Sequence, residues 1–285
     1  MTPLMATPPS VLEQTVQQKP TGEITVRFET VSIAFEDKVV LDGVSFELQH
    51  GETKAIFGVA GSGKSTLLKL ALGLLRPDSG RIFVLGEEVT AMSEDQLFDL
   101  RRRVGIVFQE SALFDSLTVR ENVAFRLYEE GKVSEEEIDE RVREALSFVE
   151  LEHTVDLYPS ELSGGMRRRV SIARTIITHP EVLLYDSPTG GLDPVTSNTI
   201  IELVVKQRDI YKVSSLLVTH RLQDAFTMAT HHFDRTENKM VPLPPHARTE
   251  VPFSFLILRD GHIIFDGDLN ELRETRDEYI REYIS

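Results

Sequence analysis

The chain contains no cysteine, which excludes disulfides and thiolate chemistry and fits a cytoplasmic protein. No window of 18 or more residues is continuously apolar, so no segment is expected to span a membrane as a helix. Basic residues are few: 31 Lys and Arg stand against 46 Asp and Glu, a net charge of −15. Such a surface is a poor partner for nucleic acid or anionic lipid, so no nucleic-acid partner is expected and any membrane association would run through a protein. The opening stretch MTPLMATPPSVLEQTVQQKPTG lacks a basic start followed by an apolar run and does not read as a secretory signal. Its four prolines and polar remainder predict a disordered tail over residues 1–22. No internal repeat is visible. What is present is a chain of 285 residues, 41% hydrophobic, able to bury a core as one large domain or two small ones.

The pattern along residues 23–285 predicts strands alternating with helices, hence a largely parallel sheet covered on both faces. EITVRFETVSIAF and VVLDGVSFEL alternate like strands around a turn at 36–38. TKAIFG, VGIVFQ, VLLYD and SSLLVTH read as short buried strands, and LLKLALGLL as an apolar helix. Residues 112–176 read as mainly helical, with Ile138, Val142, Leu146 and Val149 at helical steps. FLILRDGHIIFDGD reads as a hairpin turning at Asp260-Gly261. Residues 230–252, rich in proline and polar side chains, read as a surface loop. Their His231, His232 and His246 share no ligand-like spacing with carboxylates, so a solvated insertion is favoured over a metal site.

GVAGSGKST, residues 58–66, fits G-x-x-x-x-G-K-[ST] between a strand and a helix. Gly58, Gly61 and Gly63 let backbone N–H groups surround phosphate oxygens without a Cβ in the way, with Ser62 between them. The helix opening near Lys64 adds its positive end. Lys64 would reach the β- and γ-phosphates of a nucleoside triphosphate, Ser65 would ligate Mg²⁺, and Thr66 would support an α-phosphate contact. Asp186, delivered by VLLYD, would hold the ion through water opposite Ser65. A second anion site follows from ELSGGMRRRVSIAR, where Ser163, Gly164 and Gly165 feed a helix N-terminus. One nucleotide needs one cradle, so the second makes sense if it serves a nucleotide held by another subunit.

With these motifs in order, the sequence resembles the ATP-binding subunits of ABC transporters across roughly residues 23–285. The resemblance implies a P-loop NTPase (RecA-like) α/β core with an antiparallel β subdomain and an inserted α-helical subdomain carrying LSGGM. It implies ATP and Mg²⁺ as ligands, an integral-membrane permease as partner, and a second ATP-binding subunit, by homodimer or heterodimer. It implies residence on the cytoplasmic face of the inner or plasma membrane. Residue by residue, Phe35 lies where an aromatic stacks on adenine, although it also suits plain core. Gln109 would touch Mg²⁺ and sense the permease. Ser163, Gly164 and Gly165 would hold the γ-phosphate across a head-to-tail dimer, Asp193 would organise the opposite site, and His220 would contact the γ-phosphate and position water. FQESALFDSLTVRENVAF and YPSELSGGM look like the Mla/Mce branch, which implies lipid movement and a lipid-binding component as a further partner. Leu113, Phe114 and Leu117 would then form a patch for the permease, or else helical core.

Ser187 departs from the family pattern. The residue after this aspartate is usually a glutamate that polarises the attacking water, and an alcohol is no base near pH 7. The absent assistance is worth about 10²–10⁴ in rate. Arg221 departs as well, since the family often has Asp after this histidine. The sequence therefore leaves open a slow ATPase, a heterodimer whose partner carries the competent site, and an ATP-dependent dimerisation switch with little turnover that regulates an envelope complex.

Overall fold

The computed structural model describes residues 22–244 and 247–284; all but the last residue of the tail expected over 1–22, and His246, lie outside them. The chain divides into a smaller unit, Leu113–His179, and a larger one made of residues 22–112 and 180–284.

The larger unit carries two sheets. In the first, β1 (Ile24–Phe35), β2 (Lys38–Gln49), β4 (Ser79–Val84) and β5 (Glu87–Glu88) are antiparallel in the order β2-β1-β4-β5. The alternation read from the sequence puts Leu41, Val44, Phe46 and Leu48 of β2 inward, with Phe46 stacked on Phe28 at 4.6 Å. In the second, β3 (Thr53–Gly58), β6 (Val104–Val107), β7 (Val182–Asp186), β8 (Ser214–Val218), β11 (Phe253–Arg259) and β12 (His262–Gly267) follow the order β12-β11-β3-β8-β7-β6. All neighbours pair in parallel except the edge pair β11/β12. All six residues of β3 are buried, as a strand covered on both faces requires. One apolar cluster joins side chains of both sheets to Leu67, Leu68 and Leu70 of α1 (Lys64–Ala71). This α/β arrangement, with its separate antiparallel sheet and helical unit, is the P-loop NTPase class expected from the motifs.

Two local readings need correction. The helix read over LLKLALGLL ends at Ala71. Gly73 takes φ +62°, and a Cβ there would lie 2.4 Å from Leu97 of α2 (Glu94–Arg101), so the turn closes where α2 packs. Residues 230–252, read as a loop, contain a hairpin of β9 (His231–Asp234) and β10 (Lys239–Pro242). The Asp234 carboxylate accepts the N–H groups of Thr236 (2.7 Å) and Glu237 (3.1 Å) and closes that turn. The hairpin is tied to α6 (Pro194–Tyr211) by the buried Arg208, which pairs with Asp209 and donates to the carbonyls of Met228 and His231. Met228 belongs to α7 (Leu222–Thr230); α8 (Leu269–Glu274) and α9 (Glu278–Ile284) complete the larger unit.

The smaller unit is helical: α3 (Val119–Glu130), α4 (Glu135–Phe148) and α5 (Gly164–Ile176). Ile138, Val142, Leu146 and Val149 are all buried, as their spacing predicts. Thr118 and Glu121 form a capping box at the start of α3. Among the described residues no helix is long and apolar enough to cross a membrane.

Candidate functional site

Strand β3 hands directly into the glycine loop. Gly58 sits at φ +152°, and a Cβ there would lie 2.5 Å from both the Leu258 carbonyl oxygen and Ser62 Oγ. Gly63 sits at φ +95°, with Leu41 Cδ2 only 2.8 Å from a Cβ position. Both glycines are therefore steric requirements, because the loop runs against β11 and β2. Lys64, the first residue of α1, folds back into the loop: its Nζ donates to the carbonyls of Gly58 (2.8 Å) and Val59 (2.9 Å) and to Ser62 Oγ (3.4 Å). Burial lowers its pKa, and the charge of Asp186 opposes that shift. An ammonium caged by weak neutral acceptors at a helix N-terminus suits an incoming phosphate.

Asp186 ends β7 beside the loop, and its Oδ1 accepts the Ser65 hydroxyl at 2.9 Å. A hydroxyl and a carboxylate that already touch are the oxygen donor set a small hard cation prefers, so Ser65 and Asp186 fit Mg²⁺. The chain then turns sharply. Ser187 is buried with φ +48°, its N–H donates to Val218 (2.8 Å), and its carbonyl accepts from Gly190 (2.9 Å). Exposed Gln109 lies against this turn: a Cβ on Gly190 would be 3.3 Å from its Cδ and 3.1 Å from the Ser187 carbonyl oxygen. Asp193 caps α6, accepting from Val195 N (3.0 Å), Thr196 N (3.1 Å) and the Thr196 hydroxyl. These bonds, the Thr196 hydroxyl foremost, hold its pKa below the ordinary value. His220 is exposed just past the end of β8, in the field of Asp224.

The structure thus gathers Gly58, Gly61, Ser62, Gly63, Lys64, Ser65, Thr66 and Asp186 around one loop, with Gln109 and Ser187 at the adjoining turn. Phe35 is 44% exposed, so it is not core. In the smaller unit, Ser163 caps α5, its Oγ accepting from Met166 N at 3.2 Å, and Gly164 and Gly165 form the first turn. Phe114 is 43% exposed and packs on Phe125, with ring centroids 4.5 Å apart; Leu113 and Leu117 are half-buried. Among the described residues no group of three or more His, Cys, Asp or Glu side chains could hold a metal. His231 Nδ1 instead faces the Thr227 carbonyl (3.0 Å) and the Thr230 hydroxyl (3.1 Å) at the end of α7.

Three residues escaped the sequence reading. Asn122, fully buried in α3, binds the 114–118 loop from inside. Asp224, buried on α7, accepts from the Thr189 hydroxyl. Tyr283 on α9 is half-buried; burial raises its pKa, and the backbone of Gly58 pulls it back. A polar residue at a helix core position was the only available signal for Asn122, and spacing alone gave none for the other two.

A family model described as ABC transporter matches residues 41–190. A chloroplastic protein of Arabidopsis thaliana, TRIGALACTOSYLDIACYLGLYCEROL 3, is 36% identical over 270 residues, covering 92% of this chain and 74% of its own length. The intermembrane phospholipid transport system ATP-binding protein MlaF of Haemophilus influenzae is 34% identical, covering 72% of this chain and 78% of its own. The methionine import ATP-binding protein MetN of Carboxydothermus hydrogenoformans is 43% identical over 64% of this chain, which spans only 54% of that relative's length. Among solved structures, a dimeric ATP-binding cassette in a post-hydrolysis state bound to ADP and Pi superposes with TM-score 0.72 at 28% identity, covering 86% of this chain and 99% of that one. On these grounds the chain belongs to the ABC transporter family, as one of its ATP-binding subunits.

Proposed function

We propose that this chain binds Mg·ATP and hydrolyses it slowly to drive lipid movement through a partner permease. The observation that carries the reading is the caged Lys64 ammonium beside the Ser65–Asp186 pair, which joins residues 121 positions apart at the mouth of one glycine loop. On ATP binding, Lys64 exchanges the loop carbonyls for β- and γ-phosphate oxygens, and the N–H groups of the loop and of the first turn of α1 take the rest. Ser65 and Asp186 would hold Mg²⁺, with Gln109 beside them; when bound, the ion neutralises phosphate charge. Phe35, exposed at the end of β1, offers a ring for the adenine. His220 orients the attacking water near the γ-phosphate. The Ser187 hydroxyl can donate a hydrogen bond there but takes no proton near pH 7, so turnover rests on positioning and charge neutralisation.

ABC cassettes work as dimers with membrane permeases, and Ser163, Gly164, Gly165 and Asp193 would serve the nucleotide of a second ATP-binding subunit. The chain would sit on the cytoplasmic face of the inner or plasma membrane, held there by the permease, with a lipid-binding component as a further partner. Residues 23–285 form the ATP-binding domain, with the helical subdomain at about 112–176 and the insertion at about 230–252. Lipid is favoured as cargo by the ALFDSLTV and YPSELSGGM segments. Two relatives named for a galactolipid and for phospholipid transport also cover more of this chain than the methionine import relative does.

Ser187 itself favours a second reading, an ATP-dependent dimerisation switch with little hydrolysis. ATP turnover of the complex with its permease separates the two. Turnover that Lys64→Ala abolishes supports the transport engine. Turnover that emerges only with Ser187→Glu, rising about 10²–10⁴-fold, supports the switch. Turnover unaffected by Lys64→Ala refutes both.

A further inference from the structure

Arg221 stands next to His220 and would be expected to throw a new positive charge into the phosphate site. Its side chain is committed elsewhere. Nη1 donates to Ser197 Oγ at 2.5 Å, Nε lies 3.5 Å from Asp224 Oδ1, and its backbone N–H donates to Thr219 Oγ1 at 3.0 Å. Asp224 is 3% exposed, and its other oxygen accepts the hydroxyl of Thr189, which is buried as well. Thr189 lies two residues after Ser187 in the turn that follows β7. Ser197, fully buried, lies in the first turn of α6, the helix that Asp193 caps. One chain of polar contacts, Thr189–Asp224–Arg221–Ser197, therefore spans the turn carrying Ser187, the segment carrying His220, and the helix capped by Asp193.

We infer that Arg221 and Asp224 are positioning residues which fix the His220 turn against the Ser187 turn and against the start of α6. The proposal rests on the ATPase reading above. A carboxylate buried this deeply stays charged only when its oxygens are satisfied. Burial raises the Asp224 pKa, while Thr189, Arg221 and His220 oppose the rise. Without Arg221, Asp224 Oδ1 loses its cation and the His220 turn loses its side-chain tie to Ser197 at the start of α6, so the turn is free to shift. In a site that has no glutamate at 187, rate depends on where the remaining groups stand, and a displacement of about 1 Å costs about 10²-fold. Arg221 thus compensates for the change at Ser187 through geometry, by holding a neighbour in place rather than by touching the nucleotide.

The test assays the full chain with Mg·ATP, in its natural sequence and with Ser187→Glu, against Lys64→Ala as background. In whichever of the two turns over, Arg221→Ala is expected to lower kcat by about 10²-fold with KM for ATP unchanged. Its thermal midpoint should fall no further than that of Ser197→Ala, and Arg221→Lys should restore part of kcat. A kcat that stays put, or a joint decline of kcat, KM and thermal midpoint, overturns the positioning role while leaving the ATPase reading intact. If neither form exceeds the Lys64→Ala background, the ATPase reading fails by itself and the proposal falls with it.

Discussion

Asn122 is the residue whose removal the structure prices most directly. Its Oδ1 accepts the Phe114 N–H at 2.8 Å, and its Nδ2 faces the carbonyls of Phe114, Leu117 and Thr118, each at 3.0 Å. Two amide hydrogens serve three carbonyls, so one bond is shared and the side chain makes about three bonds' worth of contact. At about 0.5–1.5 kcal/mol net for each bond, Asn122→Ala should destabilise the loop by about 1.5–4.5 kcal/mol, at the lower end where freed groups reach water. Asn122→Asp should do more harm although it is nearly isosteric: it keeps the acceptor but turns an oxygen toward three carbonyls in a fully buried position, adding a desolvation cost of about 1–3 kcal/mol. The assay is hydrogen exchange at the Phe114 amide, read with urea unfolding of the whole chain. Exchange should quicken by about 10-fold or more for Asn122→Ala, since about 1.4 kcal/mol is a factor of ten, and further for Asn122→Asp. A Phe114 amide as protected in Asn122→Asp as in the natural chain would refute the reasoning, because the only donor that distinguishes the two side chains would then hold nothing.

Gly58→Ala puts a Cβ 2.5 Å from the Leu258 carbonyl oxygen at φ +152°; since that neighbour is sheet backbone, the loop must shift, and nucleotide binding measured by titration should fall by at least about 10-fold, a cost within the roughly 1–3 kcal/mol range of backbone strain. His179 is half-buried, its Nε2 is shut off from solvent with no hydrogen-bond partner, and desolvation together with Arg141 depresses its pKa. The native state then resists a proton that the unfolded chain accepts, so stability is full above the ordinary histidine pKa of 6.5 and is lost as pH falls below it. His179→Asn, which tolerates the left-handed φ of +52°, should flatten the decline of the thermal midpoint between about pH 7 and 5; an unchanged slope would assign that decline to other groups.

Much of the larger unit was legible because its strands obey the two-residue period or are apolar throughout. β3 and β7 run over the residues read from the sequence, and the turn at Asp260-Gly261 falls where the dipeptide predicts. The phosphate loop was legible for a different reason: its chemistry needs glycine at Gly58 and Gly63, where backbone or side-chain atoms of distant strands come close, and those glycines stay visible as a local pattern. What spacing could not reveal is pairing across long separations. Arg221 read only as a departure beside His220, because its partner Ser197 lies 24 residues away. The hairpin at 231–242 was hidden because its support comes from Arg208 and Asp209 on α6 rather than from any alternation of its own.

The two departures at Ser187 and Arg221 have opposite physical character. Ser187 removes a proton acceptor while keeping the backbone turn, since its N–H still ties to Val218 and its carbonyl to Gly190. Arg221 adds a cation but buries its bonds in Asp224 and Ser197. The first subtracts chemistry and leaves geometry; the second adds geometry and leaves the charge facing the nucleotide unaltered. A phosphoryl-transfer site depends on positioning and charge neutralisation more than on a base, so under the proposed ATPase reading the residues that hold the turn matter more to rate than they would in a site with its base. Restoring the base with Ser187→Glu should therefore gain rate only while Arg221 is intact. In the double variant Ser187→Glu/Arg221→Ala, most of that gain should vanish, and a gain that survives in full would show that the turn is held by its backbone bonds alone.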